Sequence, residues 1–227
     1  MKIAEIFYSI QGEGVLVGTP SAFVRTSGCN LRCTWCDTPY ASWEPEGEDL
    51  PLEEILARVT RYRVHYTVVT GGEPMIAPQI APLTEALRQM GQHVTVETAG
   101  TVFAPVDCHL MSISPKLSNS TPFERERGRW AAAHDRLRIQ IPVLKRLMGD
   151  YEYQLKFVVE RAEDLSEIND LVARVRANPQ RVVLMPEGTD PEVLRERAMW
   201  LVEICKQHGY RFTPRLHIEL YGNRRGV

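Results

Sequence analysis

Apolar residues recur along the chain with two alternating spacings. Short runs rich in β-branched and aromatic residues at 21–26, 66–70, 93–97, 109–114, 153–159 and 181–186 predict strands. Between them, 52–62, 80–90, 142–148, 165–177 and 191–207 place apolar residues at helical spacing; in the first of these Ile55, Leu56 and Val59 share one face. Gly91 follows the second helix as a left-handed cap would, and Asp190-Pro191 offers a cap and a first-turn proline to the last. Residues 212–220 predict a final extended segment. Strands alternating with helices imply a parallel sheet with helical crossovers. A closed eight-unit barrel takes about 250 residues. The 227 residues here instead predict an α/β fold of the incomplete, open (β/α)6 type, TIM-like and built as one domain over 1–227. Ligands of such sheets sit at the carboxyl ends of the strands, so motifs directly after strands carry the most weight.

Composition narrows the classes. Hydrophobic residues make up 44% of the chain, enough for a core without disulfides, and a formal net charge of -2 gives no footprint for nucleic acid or an anionic membrane. No apolar run approaches the roughly 20 residues that span a bilayer, and the first residues lack the pattern of a signal peptide. A cytoplasmic protein is expected. Three of the five cysteines fall within eight residues, which argues for metal or redox chemistry over a disulfide framework. Cys108 and Cys205 stand apart and are expected to be small buried hydrophobes.

Cys29, Cys33 and Cys36 follow the strand at 21–26 directly. Three thiolates on one loop each take one iron of a cubane cluster and leave the fourth iron open for chemistry. A structural zinc site would be closed and would find partners farther away. The spacing resembles that of the radical S-adenosylmethionine superfamily, whose 4Fe–4S cluster cleaves S-adenosylmethionine, and Trp35 resembles the aromatic residue that shields the cluster there. A second motif agrees. The strand at 66–70 runs into Gly71-Gly72-Glu73-Pro74, where glycine lets the backbone approach a ligand. In the superfamily this loop holds the amino group of S-adenosylmethionine.

Further segments select within the superfamily. Gln11-Gly12-Glu13-Gly14, Arg25, Asp37-Thr38, Glu97-Thr98-Ala99-Gly100, Ser114-Pro115-Lys116 and His217 together resemble the 7-carboxy-7-deazaguanine synthase family along essentially the whole chain. A glycyl-radical activating enzyme shares the triplet but not these segments. The resemblance implies radical-mediated ring contraction of 6-carboxy-5,6,7,8-tetrahydropterin to 7-carboxy-7-deazaguanine, with loss of ammonia and with S-adenosylmethionine used catalytically. It also implies a magnesium ion that organises the substrate, a homodimer, and an electron donor such as flavodoxin.

Residue roles follow from the same resemblance. Ile10, Gln11, Gly12, Glu13, Arg25, Thr70 and His217 are expected at the substrate, with the Arg25 fork suited to its carboxylate. Thr38 is expected to give magnesium one oxygen, while Asp37 is expected to cap the following turn. Gly72, Glu73, Ser114, Pro115 and Lys116 are expected at S-adenosylmethionine. Met185 and Glu187 are too, although Met185-Pro186-Glu187 departs from the family's Gln-Pro pattern. Residues 117–134, rich in Arg and Glu, exceed what the fold needs and read as a lid, a packing helix or a dimer contact. The tail after His217 receives no role.

Overall fold

The computed structural model describes residues 1–227. Strand β1 (Lys2–Ile10) pairs antiparallel with β2 (Pro20–Thr26), and after the short helix α1 (Pro39–Ser42) the two-residue strand β3 (Glu48–Asp49) pairs antiparallel with the other edge of β1. From β2 onward every pairing is parallel. Helix α2 (Leu52–Arg61) leads to β4 (Tyr66–Gly71), and α3 (Ile80–Gln89) to β5 (His93–Thr98) and then β6 (Leu110–Ile113). Helices α4 (Ala131–Leu137) and α5 (Ile141–Asp150) precede β7 (Tyr153–Val159), and α6 (Asp164–Val175) precedes β8 (Val182–Pro186). Helix α7 (Pro191–His208), β9 (Arg211–Phe212) and α8 (Leu216–Tyr221) end the fold. The nine strands lie in the order β3-β1-β2-β4-β5-β6-β7-β8-β9, so the sheet stays open, with β3 and β9 at its edges.

The open α/β architecture agrees with the sequence, including the absence of a helix between β5 and β6, where the connection passes Gly100, whose φ of +71° suits glycine. Two departures stand. The sheet is mixed, because β1 reverses on β2 through residues 11–19. The segment expected to be extended at 212–220 divides into β9 and α8, with Pro214 between them.

Alternation along the strands decides what faces what. Ala22 and Val24, Val94 and Val96, Met111 and Ile113, Leu155 and Phe157, and Val182 and Leu184 all join one apolar core. Each of these side chains larger than Ala22 stabilises the fold by about 1.5–3 kcal/mol. The intervening residues, with period two, point to the other face: Arg25, Glu97, Ser112, Lys156 and Met185 line a cavity. One face of the sheet therefore supplies stability, and the other is left to polar groups. Asp190 caps α7 by accepting from the Glu192 and Val193 amides, and Gly209 ends it in the left-handed conformation.

Candidate functional site

One cavity of about 480 Å3 opens at the carboxyl ends of the strands. Cys29, Cys33 and Cys36 lie along its wall, and all three are free thiols. Leu31 and Ala99 pack with Cys33, and Trp35 rests against this small apolar cluster. Burial pushes the Cys29 thiol up to about 12 and raises those of Cys33 and Cys36, so loading metal here must release protons. No group of three or more His, Cys, Asp or Glu converges as a single metal ion would require. Three thiols along one wall suit a cubane, which takes one thiolate per iron.

The loop Gly71–Pro74 docks onto the cysteine loop. A Cβ on Gly72 would collide with the Gly28 and Ala41 carbonyls, so glycine is required for this contact, and the Glu73 amide donates to Gly28 O at 2.9 Å. Glu73 itself is fully buried and does not border the cavity. Its carboxylate accepts from Thr98 Oγ1 at 2.7 Å, the Ala99 amide at 2.8 Å and the Met75 amide at 3.0 Å. Glu73 braces the loop through these three bonds. Pro115 is also buried away from the cavity, whereas Gly72, Ser114, Lys116, Met185 and Glu187 border it. Lys116 Nζ donates to Ser114 Oγ at 2.8 Å, and Glu187 pairs with Arg197.

Opposite the cysteines, residues 10–13 form the cavity floor. Gln11 is committed on both sides: its Nε2 donates to Glu97 Oε1 at 3.1 Å, and its Oε1 accepts from the Glu13 amide at 3.1 Å. Thr70 Oγ1 donates to the other Glu97 oxygen at 3.0 Å. A Cβ on Gly12 would collide with the His217 ring, so this glycine admits the imidazole to the cavity. His217 therefore stands on α8 and not in an extended segment. Burial lowers its proton affinity, with Glu13 opposing, which favours the neutral ring.

Glu13 is the hub of a buried charge network. It pairs with Lys156 and accepts from Arg215 Nε at 3.2 Å; Arg215 also pairs with Asp37 and donates to Gly188 O at 2.6 Å. Burial alone would raise the Glu13 carboxyl, but Lys156 and Arg215 hold it well below the usual carboxylate range. Asp37 is lowered too, burial being outweighed by Arg215. Asp37 thus caps no helix: one oxygen meets Arg215, and the other accepts from Thr38 Oγ1 at 2.9 Å. Because Thr38 donates in that bond, its lone pairs remain open toward the cavity. Arg25 donates from Nε to Glu5 Oε1 at 2.7 Å, and Tyr40 Oη donates to the same oxygen at 2.7 Å. The remaining Arg25 nitrogens face the cavity.

Sequence reasoning missed Lys156, Arg215 and His134. Lys156 is the one charged residue in the run Tyr153–Val159, as Arg25 is in Pro20–Thr26. His134 is buried behind the cysteine loop, on the stretch 117–134 whose role was open. Its Nδ1 accepts from the Arg32 amide at 3.1 Å, so Nε2 carries the hydrogen toward Ser120 Oγ at 2.9 Å. The Thr34 amide donates to Ser120 O at 2.8 Å, and Trp35 Nε1 to Asn119 Oδ1 at 3.3 Å. This stretch is a buttress for the cysteine loop.

A pH effect follows. Burial lowers His134 to about 4 from 6.5. A depressed imidazole is neutral in the fold and protonated in the unfolded chain, so its contribution is complete above about 6.5 and lost as pH falls toward 4. Urea unfolding of the metal-free chain should show falling stability over that window, and His134→Gln should flatten the slope. An equally steep slope in the variant would assign the acid sensitivity elsewhere.

Comparison with known proteins bears on this site. Residues 23–116 match the model of the Radical SAM superfamily. Over 228 residues the chain is 47% identical to the 7-carboxy-7-deazaguanine synthase of Rhodopirellula baltica, covering 100% of this chain and 89% of that protein. It is 44% identical to the Halobacterium salinarum protein of the same name, covering 98% and 91%. The crystal structure of QueE from Escherichia coli superposes with a TM-score of 0.70 at 25% identity, covering 95% of this chain and 94% of that one.

Proposed function

The chain belongs to the 7-carboxy-7-deazaguanine synthase family, whose members are radical S-adenosylmethionine enzymes, and from that premise we propose that it contracts 6-carboxy-5,6,7,8-tetrahydropterin to 7-carboxy-7-deazaguanine with release of ammonia. The observation that carries this reading is a single cavity bordered by the three cysteines and also by Gln11, Glu13, Arg25, Thr70 and His217. A 4Fe–4S cluster and S-adenosylmethionine supply radical chemistry when bound, as in the superfamily.

The chain's own residues hold and orient. The free Arg25 nitrogens suit the pterin carboxylate, with Glu5 fixing the guanidinium. The Glu97 carboxylate, fixed by Gln11 and Thr70, and the Glu13 carboxylate, fixed by Lys156 and Arg215, suit the donors of a pterin edge. Neutral His217 adds a hydrogen-bonding ring beside them. Such fixed polar groups reject analogues that leave them unpaired. Thr38, with its lone pairs free, supports magnesium held mostly by substrate and water. Gly72, Ser114, Lys116 and Met185 would receive S-adenosylmethionine. The open edges β3 and β9 support a symmetric dimer. Five free cysteines suit a reducing cytoplasm. No helix is long and apolar enough to cross a membrane.

Anaerobic reconstitution with the carboxylated tetrahydropterin, reductant and magnesium is the test. Deazaguanine product with S-adenosylmethionine regenerated is the expected result. Stoichiometric loss of S-adenosylmethionine without that product would overturn the reading in favour of an activating enzyme. In the same assay Arg25→Ala should weaken pterin binding by about 2–5 kcal/mol, read as a raised KM. An unchanged KM would make pairing with Glu5 the whole role of Arg25.

A further inference from the structure

Ser114 and Lys116 border the main cavity, where S-adenosylmethionine would lie, yet beyond them the chain has only a single tight turn at Ser118–Ser120. The Ser114 amide donates to Thr98 O at 2.7 Å, and Pro115 has no amide to give. Side chains from two helices hold the stretch that follows. At the end of α4, one Arg138 guanidinium nitrogen donates to Lys116 O at 3.2 Å and also to Glu167 Oε1, while Nε donates to Asp135 Oδ1 at 2.7 Å. In the first turn of α6, the other Glu167 oxygen accepts from the Ser118 amide at 2.9 Å and from Ser118 Oγ at 2.7 Å. Asp164 in the same turn accepts from Asn119 Nδ2 at 2.8 Å. Burial would raise the Glu167 carboxyl, but the two Ser118 donors and Arg138 hold it below its ordinary value. Charge-assisted bonds of this kind are roughly twice as strong as neutral ones.

The clamp also reaches the cysteine loop. The Arg138 amide donates to His134 O at 2.9 Å, and His134 in turn holds the Arg32 amide. Helix α4 therefore ties the loop after β6 to the loop of the three cysteines. We propose that Arg138 and Glu167 are positioning residues for S-adenosylmethionine: they fix the backbone at Lys116–Ser118, and through it the Lys116 ammonium, relative to the cysteine loop. The inference rests on the radical reading proposed above. Neither residue borders the main cavity, and their side chains are 15% and 28% exposed, so neither would touch the ligand. Lys116 Nζ reaches back to Ser114 O at 2.9 Å and Ser114 Oγ at 2.8 Å, which aims one cation at a ligand that carries a carboxylate. A lysine stem is flexible, so that aim depends on where its backbone is held. Misplacement by about 1 Å can cost about a hundredfold. A ligand that must meet both a cluster and a cation is sensitive to the spacing between the two loops.

The test uses the anaerobically loaded enzyme and the variants Arg138→Met, Glu167→Gln and both together. The Kd of S-adenosylmethionine should rise about tenfold in each single variant. The double variant should be little worse than either, since both residues act on one stretch of backbone. KM for the pterin, at saturating S-adenosylmethionine, and iron content should stay unchanged. Amide hydrogen exchange at Ser118 should quicken in all three. An unchanged Kd with a lowered melting temperature overturns the proposal and leaves the pair purely structural. So does an equal loss of pterin affinity, which would report a general loosening. Should Arg138→Met shed iron, Glu167→Gln leaves α4 untouched and decides the matter by its own Kd. Failure of the unaltered enzyme to bind S-adenosylmethionine would instead defeat the proposed function, while hydrogen exchange still reads the clamp separately.

Discussion

Cys33→Ala is expected to give a colourless protein that retains no iron and does not cleave S-adenosylmethionine. Cys33 is the most enclosed of the three thiols, 8% exposed, and its wall is shared with Leu31 and Ala99. Losing one of three ligands leaves one iron without a protein partner. Removing a sulfur from so small a side chain should cost only about 1 kcal/mol of stability, so circular dichroism should report an intact fold. Cys108→Ala is the matching control and should keep its iron, since Cys108 packs against the main core. Iron content and S-adenosylmethionine cleavage at the unaltered level in the Cys33 variant would sink the cluster assignment.

The largest loss of stability is expected from Arg215→Ala. Two acids, Glu13 and Asp37, balance two bases, Lys156 and Arg215; Lys156, Arg215 and Glu13 are largely out of solvent, while the Asp37 side chain is 38% exposed. Taking away Arg215 strands a carboxylate and frees Gly188 O, and breaking a buried pair in this way costs about 3–5 kcal/mol. Urea unfolding at neutral pH measures it. The acid limb should change as well. Glu13 and Asp37 are held below their ordinary values of 4.5 and 3.8, so their contribution is full above those values and lost as pH falls below them. Without Arg215 that limb should be shallower. A variant as stable as the unaltered chain, with the same acid limb, would show the network to be idle.

The outline of the fold was legible because the strands carry β-branched runs and the helices show clear stops, as at Gly91 and Asp190-Pro191. What escaped were features set by pairing partners. Nothing in the spacing of Lys2–Ile10 reveals that it runs antiparallel to its neighbour; that depends on where residues 11–19 turn. The crossover between β5 and β6, by contrast, shows no helical spacing in the sequence and has no helix. At the site, the cysteines and the glycines were read from motif, but a motif does not say which way a carboxylate points. Glu73 turned inward to three donors, and Asp37 turned toward a residue 178 positions away. Lys156 and Arg215 went unassigned because their partner is remote in sequence.

That remoteness bears on the order in which the molecule forms. Gly14 is tied to Thr213 across 199 residues and Glu13 to Arg215 across 202, while the Leu216 amide reaches Gly12 O. Contacts so distant along the chain are the slowest to close, and during synthesis they wait until residues 213–216 have been made. The cysteine loop and its early strands exist long before then. A nascent chain is therefore expected to assemble the wall that would carry the cluster, once its buttress at 117–134 is made, ahead of the floor that would recognise substrate.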